Sequence, residues 1–226
     1  MAEMKKELLR SVDLFQGLGE EAIASLAAKL QELRLAKNSL LFSHGDEGDR
    51  LFLVVEGRAK AILNNIDGKE TILAFFDAGD SFGEMSLIDG RPRSASVCTT
   101  EATFFYALSR RDFLEHLKTN PVSTLRVLDD VCSRLRSATE FIGSLSLLDA
   151  KERVSRALVT LGKDRGAEHA DGIFLRPRPN QQDLAAMTGT SRETVSRVLS
   201  NLQKSQFLAT ESDGYIIGHD LIERCI

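Results

Sequence analysis

Cysteine is scarce in this chain of 226 residues: Cys98, Cys132 and Cys225 stand far apart. No spacing among them suits a zinc site or an iron–sulfur cluster, and isolated thiols fit a reduced compartment. Two are expected to be core thiols, with Cys225 beside the terminus. His44, His116, His169 and His219 follow no ligand spacing and are expected on the surface or in loops, so no metal is expected. No apolar run approaches the ~20 residues that span a bilayer. The start, Met1 to Lys6, is followed by no apolar export core, so the cytoplasm is the expected location, without a membrane partner. Charge of one sign is lacking as well: the net charge is −4, divided as −5 over residues 1–149 and +1 over residues 150–226. Bulk charge therefore announces no nucleic acid, and any such binding must rest on placed residues. No nucleophile stands in an evident pairing with a base, which argues against an enzyme.

What is present reads in three textures. Residues 1–32 look helical, with Leu18–Leu30 carrying apolar residues at helical spacing behind Gly19. From Leu33 to Leu108, β-favouring runs alternate with glycine turns. The runs are residues 39–42, 51–55, 59–63, 71–76, 94–97 and 103–107; the turns include Gly45, Gly57, Gly79 and the hairpin signal Asp67-Gly68. Short strands at regular spacing predict an antiparallel barrel or roll. Ser109 followed by Asp112 has the form of an N-cap, opening a short helix through Lys118.

The stretch Pro121–Leu148 is the chain's longest helical pattern. Leu128, Val131, Leu135, Ala138, Ile142 and Leu145 alternate in steps of three and four, the seam of a two-stranded coiled coil. It reads either as the helix of a parallel homodimer or as one buried helix of a bundle. Beyond it, Asp149 is expected to cap a helix over 150–161. Asn180 caps a helix over 181–187, Thr188-Gly189-Thr190 makes a tight turn, and Ser191 caps a helix over 192–205. Residues 207–217, turning at Asp213-Gly214, form a β-hairpin. Helix, tight turn, helix and wing is the pattern of a winged helix-turn-helix.

Two stretches carry chemistry. In the first, Phe82 to Ala95, Gly83 permits close backbone approach, and a helical turn from Glu84 would aim free N–H groups at an anion. Arg93 supplies a fork of donors matched to phosphate, and Ser94 a hydroxyl. Glu84 would repel a phosphate but suits a ribose hydroxyl, so a cyclic phosphate joined to ribose is a sensible ligand. A hairpin turn closed by an Arg93–Glu84 ion pair is the other reading. In the second, Thr190 to Leu202, the residues Val195, Val198, Leu199 and Leu202 make a packed face. Arg192, Glu193, Ser196 and Arg197 fall opposite. Arginine can fork onto guanine and glutamate can accept from cytosine, while Ser191 and Thr194 could bond phosphate. An αα-hairpin with a solvated charged face is the alternative.

Together these stretches resemble the CRP/FNR superfamily of bacterial transcription regulators, in its cyclic AMP receptor branch, over nearly the whole chain and in the right order. The resemblance implies an α+β chain: an N-terminal, jelly-roll-like antiparallel β-roll that binds a cyclic nucleotide (1–120), a dimerisation helix (121–148) and a C-terminal winged helix-turn-helix (149–226). Gly83-Glu84-Met85 through Arg93-Ser94-Ala95 resembles the phosphate-binding cassette, with Arg134 and Thr139 of the dimer helix as further ligand residues. Ser191 to Arg197 resembles the recognition helix, with Arg192, Glu193 and Arg197 at its base-reading positions and a TGTGA palindrome as target. The resemblance further implies a homodimer, double-stranded DNA, RNA polymerase as partner and cAMP as effector. Two positions depart from it: Ala138 lacks a hydrogen-bonding group where the family offers one to adenine, and Gln181 stands where it has a phosphate-contacting arginine. The same reader with another nucleotide, or with none, stays open. An iron–sulfur sensor would need N-terminal cysteines, and a haem sensor an axial histidine. A cupin-like metal enzyme would need several histidines in the roll, where His44 stands alone.

Overall fold

The structure, a computed structural model, describes residues 2–66 and 68–225. It is α+β and divides into two compact units, Met1–Asn64 with Ile72–Arg136, and Asn65–Thr71 with Ser137–Ile226. In chain order the elements are α1 (Ala2–Ser11), a 3-10 turn (Asp13–Phe15), α2 (Glu20–Lys29), β1 (Gln31–Leu35), β2 (Leu40–Phe42), β3 (Arg50–Glu56), β4 (Ala59–Asn64), β5 (Glu70–Phe76), β6 (Ser81–Phe82), α3 (Glu84–Asp89), β7 (Ser96–Thr99), β8 (Thr103–Ser109), α4 (Arg110–Thr119) and α5 (Pro121–Leu147). Then follow α6 (Ala150–Arg165), β9 (Ala167–His169), β10 (Gly172–Leu175), α7 (Gln181–Thr188), α8 (Arg192–Lys204), β11 (Leu208–Glu211), β12 (Gly214–Gly218) and α9 (His219–Arg224).

The roll consists of two four-stranded sheets, ordered β1-β8-β3-β6 and β2-β7-β4-β5. Its central strands explain why the sequence there runs apolar without alternation. On β3, Leu51 and Leu53 face one core while Phe52 and Val54 face another. On β8, Phe104, Tyr106 and Leu108 point to the first core, and Phe105 and Ala107 to the second. A strand covered on both faces needs apolar residues at every position. The first core also takes Leu9, Phe15, Ile23 and Phe113 from the helices and the 3-10 turn. The second is aromatic, with Phe82 stacked on Phe76 at 4.3 Å between ring centroids.

Several expectations need correction. The helical opening ends at Lys29, because Gln31–Leu35 pairs antiparallel with β8; its Gln31, Glu32 and Arg34 are polar, which hides an edge strand. The run 94–97 begins its strand only at Ser96. Asp67 of the expected turn lies outside the described residues. His116 is neither in a loop nor at the surface: it is 6 % exposed inside α4, with Nε2 at 2.9 Å from the Ser123 hydroxyl. Cys132 is no core thiol but exposed on α5.

Helix α5 runs as expected, but its seam loses one member. Ser123 and Val127 are buried and Val131 packs against the first core, so Val131 cannot belong to a seam facing outward. The other expected seam residues, Leu128, Leu135, Ala138, Ile142 and Leu145, are exposed, and so is Leu125. No described helix is long and apolar enough to cross a membrane.

In the second unit, α6 opens on a reciprocal capping box, with Asp149 accepting from the Glu152 amide and the Glu152 carboxylate from the Asp149 amide. It extends to Arg165, beyond the expected end. Its Val154 and Leu158 pack with Leu184, Val195, Val198, Leu199 and Leu202 of α7 and α8 in one core. The wing is larger than a hairpin: β11-β12-β10-β9 form one antiparallel sheet, followed by α9.

Candidate effector and DNA sites

Gly83 begins the first site. It holds φ at 92°, a left-handed conformation, and a Cβ there would stand 2.7 Å from Nη1 of Arg93. Only glycine lets the backbone come this close. The Arg93 side chain is 4 % exposed and lies over the Phe42 ring at 4.3 Å. Its Nη1 donates to the Gly83 carbonyl at 2.9 Å and to the Ser86 hydroxyl at 3.0 Å, and its Nη2 to the Arg50 carbonyl at 2.8 Å. Nε is buried without a hydrogen-bond partner. Burial lowers the pKa of the guanidinium, against the opposing charges of Asp49, Glu84 and Asp46. A buried cation held by neutral carbonyls and a hydroxyl, with one donor unmet, is a group short of an anion.

Glu84 opens α3 and is 4 % exposed. Its ion pair is with Arg134 of α5, Nη1 to Oε1 at 3.8 Å, whereas Arg93 bonds backbone carbonyls and Ser86. The alternative of a turn closed by Arg93 and Glu84 is thereby replaced. Burial raises the carboxyl's pKa, and Arg134 pulls it back. Ser94 is exposed and reaches the Met85 sulfur at 3.8 Å, while Ala95 is buried. Gly83, Glu84, Met85, Arg93, Ser94, Ala95 and Arg134 therefore share the first unit. Thr139 does not: it is exposed on α5, in the second. Sequence reasoning missed Ser86, Phe42 and the Arg50 carbonyl. A backbone carbonyl leaves no residue-type signal, and Phe42 is distant in sequence from Arg93, whereas Ser86 stood within the stretch already singled out.

In the second unit the described geometry follows the expected pattern. Asn180 caps α7 through the Gln182 amide, and Gly189 ends it with φ at 62°. The Ser191 hydroxyl accepts from the Thr194 amide at 3.2 Å and caps α8. Arg153 of α6 ties the turn down, donating to the Thr188 carbonyl at 2.8 Å. With Val195, Val198, Leu199 and Leu202 buried, Arg192, Glu193, Ser196 and Arg197 are all exposed on the other side. Arg197 leans on the Thr194 hydroxyl at 3.4 Å. The Glu193 carboxyl is held below its usual range by its own backbone amide, then by Ser191 and Arg192, so it is an ionised acceptor. Gln181 is half-buried at the first position of α7.

A family model described as "Cyclic nucleotide-binding domain" matches residues 32–120, and one described as "Crp-like helix-turn-helix domain" matches residues 152–221. The chain is similar to the cyclic AMP receptor protein of Thermus thermophilus, with 34 % identity over 194 residues, 86 % of this chain and 87 % of that one. It belongs to the CRP/FNR family of transcription regulators. A CRP-like cAMP-activated global transcriptional regulator of Mycobacterium tuberculosis is 27 % identical over 93 % of this chain and 94 % of its own. Among solved structures, a mutant of CooA from Carboxydothermus hydrogenoformans superposes with a TM-score of 0.77 at 26 % identity, over 88 % of this chain and 89 % of that one. The c-di-GMP responsive global regulator CLP of Xanthomonas campestris gives 0.74 at 25 %, over 88 % and 99 %. As a family member carrying these two modules, the chain is a cyclic-nucleotide-responsive, DNA-binding regulator rather than an enzyme.

Proposed function

We propose that the chain is a homodimeric transcription regulator whose effector is cAMP and whose target is a TGTGA-type palindrome. The observation that supports the effector is Arg93: a buried guanidinium with its Nε unmet, under a glycine that admits close approach. Arg93 and the Ser94 hydroxyl would hold a cyclic phosphate, and Glu84 would accept from the ribose. Thr139 would serve the base from α5, and the exposed stripe of Leu125, Leu128, Leu135 and Ile142 would meet its copy in a parallel dimer. On this reading the sensor spans 1–120, the dimer helix 121–148 and the reader 149–226. Arg192, Glu193 and Arg197 read bases; Gln181, Ser191 and Thr194 contact phosphates. The effector favours a pairing of the α5 helices that sets two α8 helices one DNA turn apart, ~34 Å, for RNA polymerase to meet.

A second reading keeps the DNA reader and changes the nucleotide. Ala138 favours it, since an alanine offers the base no hydrogen bond, a deficit of about 0.5–1.5 kcal/mol. Fluorescence anisotropy of a labelled TGTGA palindrome, with and without cAMP, decides between them. A large cAMP-dependent gain in affinity supports the first reading. Tight binding indifferent to cAMP, restored to regulation by another nucleotide, supports the second.

A further inference from the structure

One residue beside the effector site is not explained by phosphate or ribose binding. Asp130 and Arg134 lie one turn apart on α5, on the same face. Arg134 is fixed on two edges: Nε donates to Asp130 Oδ2 at 2.9 Å and Nη2 to the Ser81 carbonyl at 2.9 Å. Its guanidinium also lies over the Phe76 ring at 5.6 Å. A planar fork held at two edges has no freedom to swing. The remaining nitrogen, Nη1, stops 3.8 Å from Glu84, beyond hydrogen-bond reach. Without Asp130 the guanidinium could close on the carboxylate and occupy the acceptor positions that a ribose hydroxyl needs.

We propose that Asp130 is a positioning residue, holding Arg134 off Glu84 so that the buried carboxylate stays open to a donor from the effector. The proposal rests on the effector site described above. The charged groups around Glu84 are consistent with it. Arg134 and Arg93 favour its ionised form, and Asp130 disfavours it. Asp80, from the loop before β6, shares with Glu84, Asp130 and Arg134 a cavity of about 620 Å³. Asp13, Asp129 and Arg126 complete its charged lining. The Asp130 side chain is 47 % exposed, so replacing it leaves the core intact.

The test uses the full chain with carbon-labelled glutamate, following the Glu84 carboxyl by NMR as pH is changed without ligand. Asp130→Asn should lower the Glu84 midpoint, because the released Arg134 approaches it. The same substitution in an Arg134→Gln background should lower it much less. Equal shifts in the two backgrounds would mean that only the charge of Asp130 acts, and the positioning role would be overturned. Titrated with cAMP, Asp130→Asn should bind about five- to tenfold more weakly, and Asp130→Glu should recover most of the loss. Unchanged affinity in Asp130→Asn also overturns the proposal. If the unmodified protein took up no cyclic nucleotide while the midpoint shift depended on Arg134, the positioning would stand and the effector reading would fall.

Discussion

Arg93 and the pair Arg192 and Arg197 are the same residue type in opposite surroundings. Arg93 is 4 % exposed, roofed by Gly83 and backed by Phe42, with Nη1 and Nη2 donating to carbonyls and a hydroxyl and Nε unmet. Arg192 and Arg197 stand in solvent on α8, the latter resting on Thr194. Keeping a guanidinium charged inside costs desolvation that neutral acceptors offset only in part, so an anion arriving there is bound strongly and at one orientation. The exposed pair is already hydrated and gains from an anion mainly by releasing counterions. The interior arginine thus suits one small ligand selected by shape, and the exterior ones a long polyanion read by position.

The largest expected effect breaks the interior member. Arg93→Ala should weaken cyclic-nucleotide binding by at least about a hundredfold, since two or more charge-assisted hydrogen bonds of roughly 1.5–3 kcal/mol each are lost. Calorimetric titration measures it, and circular dichroism checks that the fold survives. Arg93→Lys keeps the charge but not the fork, and should recover only part of the loss. An unchanged response in Arg93→Ala would remove the site from this pocket. Next in size is the exterior member. Glu193→Ala should reduce discrimination at one base pair by roughly tenfold to a hundredfold, while affinity for unrelated DNA barely moves. Competition between a palindrome and its single-base variants reads this directly, and intact discrimination would exclude Glu193 from the reading set.

A smaller effect sharpens the contrast through pH. Burial raises the folded pKa of Glu84 above its unfolded value. Such a group gives stability that is fully present below the ordinary carboxylate pKa and is lost as pH rises through the folded one. Glu84→Gln, which never ionises, avoids that loss. Its stability relative to the unmodified protein should therefore rise as pH is raised above the ordinary glutamate value of about 4, while its nucleotide affinity falls. Melting curves across that range test the sign, and a relative stability that declined toward neutrality would contradict it.

The two regions also differed in how far the sequence revealed them. On α8 the apolar and polar positions separate cleanly, because one face packs in the core of its own unit, so the exposed set followed from spacing alone. The sensor was legible in type but not in detail. β3 and β8 run apolar on both faces and mark strands without showing which face meets which core. β1 was hidden by its polar outer residues and β6 by its length of 2 residues. Val131 fitted the expected seam of α5 by spacing, yet a helix with two apolar faces does not tell from sequence which one its own core takes. The acceptors around Arg93 are largely backbone carbonyls, brought in by residues 10 and 43 positions away. Such contacts depend on the folded path, and no residue type records them.

The smallest predicted effect extends the exterior set by one charge. Gln181 begins α7 directly after its Asn180 cap, half-buried, at the place where the family resemblance puts a phosphate-contacting arginine. Gln181→Arg should add one phosphate contact per protomer and steepen the dependence of log affinity on log salt by about 0.9 for each. The positive end of the α7 dipole opposes a cation there by a few tenths of a kcal/mol, so the gain at low salt is expected to be modest. Nucleotide affinity should stay as it was, because the added charge lies in the second unit, whereas the proposed effector site rests on the buried Arg93 of the first. A steeper salt slope with an unmoved effector constant would show the two sets of arginines acting independently. An unchanged slope would mean that the start of α7 does not face the DNA backbone, and would leave α8 and its Ser191 cap as the phosphate-positioning element.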